Sequence, residues 1–322
     1  MKDTEFAYAV GRVRANENKL LPTSVVESLI NASDYKDALK ILNDTGYGNF
    51  ESDDEEKIFS LVLRNAFELI KTAAPDKECL DFLIIKNDFH NIKAAIKCLI
   101  ADKSVDGVFM YPSVVEPEII INALRDRDFS LLPENIGDIV KTGYELVTET
   151  MDGQALEIFL DKKCIEKSFE LAEKSKDEFS ISLAKLMCMI SCFKIVLRCI
   201  NTAKDESFLR KALPECSCVD VEGLCKAFAE GIDGFALYVK RIGFEKLSET
   251  ISKGYASFEK LCDDMLIDKV KTAKYVSLGI APLVAYYFAA DAEIKTIRII
   301  LSCKKNGIDS SLIRERVREL YV

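Results

Sequence analysis

Apolar positions along this chain recur at helical spacing almost throughout. Residues 6–14 place Phe6, Ala9, Val10 and Val13 on one stripe, the pattern of an amphipathic helix. Prolines and capping residues mark the further starts. Pro22 with a Ser24–Glu27 capping box opens one helix, Ser33 opens a short one over 34–42, and a Ser52–Glu55 box opens 53–73. A long helix is expected over 76–103, a short one over 113–124, and a helical stretch over 137–176 with Gly153 as its break. Further helices are expected over 179–202, 219–230, 284–303 and 310–320. No alternating strand pattern of useful length occurs.

One helix pattern recurs. The stretch from Phe89, FHNIKAAIKCLIADK, has counterparts in CFKIVLRCINTAK from Cys192 and EIKTIRIILSCKK from Glu293. The shared apolar–lysine pairs place Lys93, Lys194 and Lys295 101 residues apart in both steps. Each copy is followed by a short segment of helical character, too short to stand alone in water and so bound to dock on a longer neighbour. Unit starts near Leu20, Leu131 and Leu237 are spaced by 111 and 106 residues, so connecting loops differ in length. Equal spacing kept twice marks internal repetition. The expectation is an all-α fold of three similar helical bundles, over residues 1–127, 128–233 and 234–322.

Composition narrows the function. The chain has 322 residues, 49% hydrophobic and 30% charged, with few Gly or Pro. A net charge of −9 argues against nucleic acid and against anionic headgroups as partners. The first ten residues hold no apolar core of a signal peptide. The most apolar run, 275–290, contains Pro282 and falls short of the roughly 20 residues a spanning helix needs. It reads as a core helix kinked at Pro282, and no membrane span is expected.

Chemistry is sparse. Eleven cysteines and a single histidine, His90, favour buried reduced thiols over a metal site, and Cys216-Ser217-Cys218 lacks zinc-knuckle spacing. Neither a phosphate-binding GxxxxGK[ST] loop nor HExxH is present, so no catalytic residue, cofactor, nucleotide or metal is assigned. His90 reads as a hydrogen-bonding residue. The candidate contact residues are cations. Arg12 and Arg14 lie off the first apolar stripe, and Arg314 and Arg316 lie in the charged closing helix. Lys93, Lys194 and Lys295 read either as a ring of charges or as lysines snorkelling from buried faces.

The stretches YAVGRVRANENKLL, NDFHNIKAAIKCLIADK, EIKTIRIILSCKKNGI and IRERVRELYV, in order along the chain, resemble the family of V/A-type ATPase C subunits, the counterparts of the eukaryotic d subunit. The resemblance implies a funnel of three helical bundles about a pseudo-threefold axis. It also implies a role without chemistry: a cytoplasmic socket joining the central shaft to the membrane rotor ring and carrying torque for proton or sodium transport. Shaft subunits and ring would be the partners, and membrane association would be indirect. The residues by themselves also fit a soluble helical-repeat adaptor with an unrelated protein partner.

Overall fold

The computed structural model describes residues 2–48 and 54–322. Every regular element among them is helical. The α-helices are α1 (Ala7–Glu17), α2 (Thr23–Asn31), α3 (Tyr35–Asp44), α4 (Glu55–Ala73), α5 (Ile85–Ile100), α6 (Pro117–Asp126), α7 (Glu134–Thr150) and α8 (Gly153–Lys174). They continue with α9 (Glu178–Asn201), α10 (Glu206–Ala212), α11 (Val221–Ala229), α12 (Gly231–Arg241), α13 (Glu245–Ile251), α14 (Tyr255–Lys271), α15 (Ala281–Lys305) and α16 (Ser310–Arg316).

Contacts group these helices into two compact units. One joins Met1–Lys77 to Phe244–Val322, and the other is Glu78–Gly243. This division cuts across the boundaries at residues 127 and 233, because α4, near the start of the chain, packs on α15, near its end.

The first unit is built on α15. Its 25 residues bury Leu283, Val284, Tyr287, Ile294, Ile297, Ile300 and Leu301 among others. Helices α1, α3, α4 and α14 pack around it. Phe6, Ala9, Val10 and Val13 are buried, as the first stripe requires. Pro282 stands in the first turn of α15 instead of kinking its middle. A first-turn proline withholds an N–H that has no helical acceptor in any case. Residues 276–280 are therefore non-helical, and Tyr275 ends a separate 3-10 turn, Thr272–Tyr275, at 90% exposure.

Proline also displaces the expected cap of α2. Pro22 itself is the N-cap, Ser24 lies inside the first turn, and Glu27 pairs with Arg314 at 3.1 Å. Asp34, not Ser33, caps α3 by accepting from the Asp37 N–H. The Ser52 box lies outside the described residues; Asp54 caps α4, accepting from Glu56 N–H. The closing helix is shorter than its periodicity suggests. It ends at Arg316, and Val317 turns extended. Ile313 and Tyr321 are buried while Leu312 is 47% exposed. Arg318 Nε donates to Asp263 at 2.9 Å, and Glu319 N–H donates to Asp264 at 2.8 Å, fixing the tail on α14.

The second unit is layered. Helix α8 packs on α5, α7 and α9, and α10, α11 and α12 lie against α9. The expected single helix over 76–103 is instead a 3-10 helix, Glu78–Leu83, followed by α5. Of the described helices, α9, not the 275–290 run, is long and apolar enough to cross a membrane, and half of its apolar window is buried among its neighbours.

The three repeated helices end in one device. Cys98, Cys199 and Cys303 carbonyls accept from the N–H groups of Lys103, Lys204 and Ile308 at 2.9, 3.0 and 2.9 Å. The residue before each donor, Asp102, Ala203 or Gly307, is left-handed at φ 51°, 49° and 66°. That is the Schellman ending, which glycine suits best. Ala203→Gly should therefore raise stability by about 0.5–1 kcal/mol, the relief of a left-handed alanine less the added unfolded-chain entropy. Urea unfolding measures it, and a destabilised variant would contradict the assigned backbone.

Candidate functional site

The candidate cations fall into two classes by what holds them. Arg14, on α1, is fixed. Its Nη1 pairs with Glu17 at 2.8 Å, and its Nη2 donates to the carbonyls of Ala273, Lys274 and Val276 at 2.8, 3.2 and 3.0 Å. One guanidinium fork thus satisfies the backbone of the segment entering α15. Lys93 bridges α5 to α8 through Asp161 at 2.6 Å, and Lys97 adds a parallel pair with Glu157. Lys295 pairs within its own helix, with Asp291 at 3.0 Å, and that carboxylate foremost raises its pKa. Lys194 lies half-buried on α9. Arg314 binds Glu27 at 3.1 Å and Asn31 at 2.6 Å, holding α16 to α2.

Two residues are looser. Arg12 donates to Thr72 Oγ1, at 3.4 Å, and lies over the Tyr8 ring. Arg316 is exposed, and its guanidinium makes no ion pair among the described residues. Arg316 lines an open groove of about 760 Å³ in the first unit, together with Lys260, Asp264, Arg298, Glu315 and Arg318. Of the candidates, Lys295 lines a smaller cavity with Asp263, Asp291 and Arg318, and Arg316 lines this groove. Arg298, which the sequence did not single out, lines the same groove and pairs with Glu56. Its i+3 spacing from Lys295 was the available signal.

Several polar groups on α5 and α15 hold backbone. Asp88, fully buried, accepts from the N–H groups of Val114 and Val115 at 3.0 and 2.6 Å. Asn87 donates to Pro112 O at 2.7 Å, Asn91 exchanges bonds with Met110, and His90 Nε2 meets Val108 O at 3.1 Å. One face of α5 thus secures the non-helical segment that leads to α6, and His90, on α5, is one of its hydrogen-bonding residues. On α15, Glu293 accepts from Leu21 N–H at 2.5 Å.

Several comparisons bear on this architecture. The model of the ATP synthase (C/AC39) subunit family matches residues 9–316. The chain belongs to that family. It is 21% identical over 319 residues to the C subunit of the V-type sodium ATPase of Enterococcus hirae, covering 96% of this chain and 97% of the relative. It is 22% identical over 348 residues to the C subunit of the A-type ATP synthase of Methanocaldococcus jannaschii, covering 96% and 85%. The C subunit of the V-type ATP synthase of Thermus thermophilus matches at 23% over 172 residues, covering 50% of this chain and 53% of the relative. A C/AC39 chain thus combines a nearly unbroken family match with cations that mostly serve its own packing.

Two measurements check these assignments. Arg14→Ala should destabilise by roughly 1–3 kcal/mol, because three carbonyls lose a charged donor, while Arg316→Ala should change stability by less than about 0.5 kcal/mol. Equal losses in urea unfolding would refute the division. Burial raises the Glu293 carboxyl from 4.5 to about 8, opposed by the Leu21 N–H. The folded chain therefore holds that proton more tightly than the unfolded one, so its stabilising contribution is complete below about pH 4.5 and disappears as pH rises through about 8. Glu293→Gln keeps an acceptor for Leu21 and should flatten the stability profile between those limits; an unchanged slope would show that Glu293 is not its source.

Proposed function

We propose that this chain is the central-stalk subunit of a V/A-type rotary ATPase or ATP synthase, a non-catalytic socket between the rotary shaft and the membrane rotor ring. In that role it transmits torque for ATP-coupled proton or sodium transport, at the cytoplasmic face of the membrane and without inserting into it. The observation that carries the reading is the family match over residues 9–316, with relatives named as the C subunits of both a sodium ATPase and ATP synthases. The densely packed helices agree with a load-bearing part, since close-packed interiors deform little.

The three-bundle organisation, with units at 1–127, 128–233 and 234–322 about a pseudo-threefold axis, belongs to the same proposal. It is supported by the shared ending of α5, α9 and α15. A second support is packing order. Helix α8, which precedes α9, also packs on α5, just as α4 packs on α15. Arg316 and Arg12 are the best contact candidates among the seven cations. Lys194, Arg14, Lys93, Lys295 and Arg314 would have to exchange internal contacts for external ones.

Reconstitution tests the role. The purified chain should show no ATPase activity alone and should be required for joining detergent-solubilised ring to shaft. Arg316→Ala should weaken that assembly about tenfold or less, the scale of one rim charge, and more so at low salt. Ring and shaft that couple equally well without the chain would defeat the socket reading.

A further inference from the structure

The most apolar run of the sequence begins on the outside of the molecule. Tyr275 is 90% exposed and Leu278 is 37% exposed, both on the non-helical entry to α15. The segment is nonetheless pinned at both ends, within the first unit. Arg14 Nη2 takes the carbonyls of Lys274 and Val276, on either side of Tyr275, and that of Ala273 before them. Glu17 braces Arg14 and accepts from Tyr321 Oη at 3.1 Å, while Lys274 Nζ lies 4.7 Å from the centre of the Tyr321 ring. At the far end Gly279 and Ile280 are buried, and a Cβ at Gly279 would stand 3.3 Å from Asp3 Oδ1. So much tethering holds out a ring that buries almost nothing in the fold. We propose, resting on the rotary-subunit reading above, that Tyr275 is an anchor for the rotary shaft, entering an apolar pocket with Leu278 beside it and Lys274 against a carboxylate on the rim.

The physical case has three parts. Tyrosine brings a large contact area for few rotatable bonds, and it is over-represented among the residues that dominate interfaces. Ordering a loop on binding costs affinity, and here the fold has already ordered it. The equivalent connection before α9, residues 175–177, carries no aromatic residue, so the anchor is no part of the repeated packing.

Charge selects the partner. Lys274 is exposed and makes no ion pair among the described residues, so it favours an acidic rim. Cytoplasmic turns of membrane helices carry an excess of Lys and Arg, which would repel it; a soluble shaft is under no such bias. A lipid surface fits less well. One ring and one leucine lack the broad apolar face of an interfacial helix, and a net charge of −9 is repelled by anionic headgroups.

The chain contains no tryptophan, so Tyr275→Trp installs a single reporter. Carried as 5-fluorotryptophan in the full chain, it is read by fluorine NMR while the partners stay silent. In the free chain its resonance should move when water is replaced by deuterium oxide. Purified shaft should abolish that movement; detergent-solubilised ring and phosphatidylserine vesicles should each leave it. Tyr275→Ala should weaken shaft binding about thirtyfold, and Tyr275→Phe about tenfold or less. Lys274→Glu should weaken it most at low salt. Thermal melting should match the parent for each variant, because both positions are exposed. Shaft binding unchanged by Tyr275→Ala or Lys274→Glu, or protection of the reporter by ring or vesicles and not by shaft, would overturn the anchor while the parent chain still joins ring to shaft. A parent chain that binds neither ring nor shaft would overturn the socket reading and the anchor with it.

Discussion

Burial of α15 is the constraint on which the first unit depends. A helix of 25 residues with buried positions on nearly every side cannot fold as a surface element. Neighbours must cover it, and the chain recruits them from both its ends. Helices α1, α3 and α4 arrive from the beginning, and α14 comes from just before it. The cost of closing so long a loop grows only slowly with its length, so distant recruitment is thermodynamically mild. Each fully buried aliphatic side chain contributes about 1.5–3 kcal/mol before relaxation, enough to offset the ordering of short helices such as α2 and α16. Those helices owe their existence to that contact.

Polar groups then fix how the covering segments lie. A hydrophobic stripe specifies a face, but it leaves sliding and rotation weakly determined. Glu293 meeting Leu21 N–H, Arg14 meeting three carbonyls of one short segment, and Asp88 meeting two N–H groups remove that freedom. Glu293 and Asp88 supply partners to backbone that an apolar interior would otherwise strand. The penalty for such burial is carried by the acids. Burial pushes Asp88 up to about 6, even though it accepts from two backbone donors.

Legibility in the sequence followed the range of the interaction. The α1 stripe and the extent of α9 were readable because helical periodicity is local. Helix starts were misread where proline intervened. Pro22 and Pro282 both occupy ends that their missing N–H suits, and periodicity on either side of them hid the boundary. Beyond Arg316 the apolar spacing continues although the helix does not. What draws Val317 and its successors out straight is a set of tertiary bonds from the tail to Asp263 and Asp264, which no local pattern announces. Among the candidate cations, residue type could say that a charge was present. It could not say that Arg14 faces a carbonyl cluster some 260 positions away while Arg316 faces open solvent.

The repeated lysines show how far repetition constrains function. Counting back from the Schellman acceptors, Lys93 and Lys194 each precede their cysteine by five residues, whereas Lys295 precedes Cys303 by eight. The extra three residues are nearly one turn, which preserves the helix face but moves the lysine along the axis. Its bonding differs accordingly: Lys93 reaches across to α8, and Lys295 reaches back along α15. What the copies share is therefore the helix ending and the buried face, the features that packing demands. The charge at the apolar–lysine pair has been free to take a different partner in the two copies whose pairs are defined. A contact surface built on these helices would draw its specificity from such departures between copies.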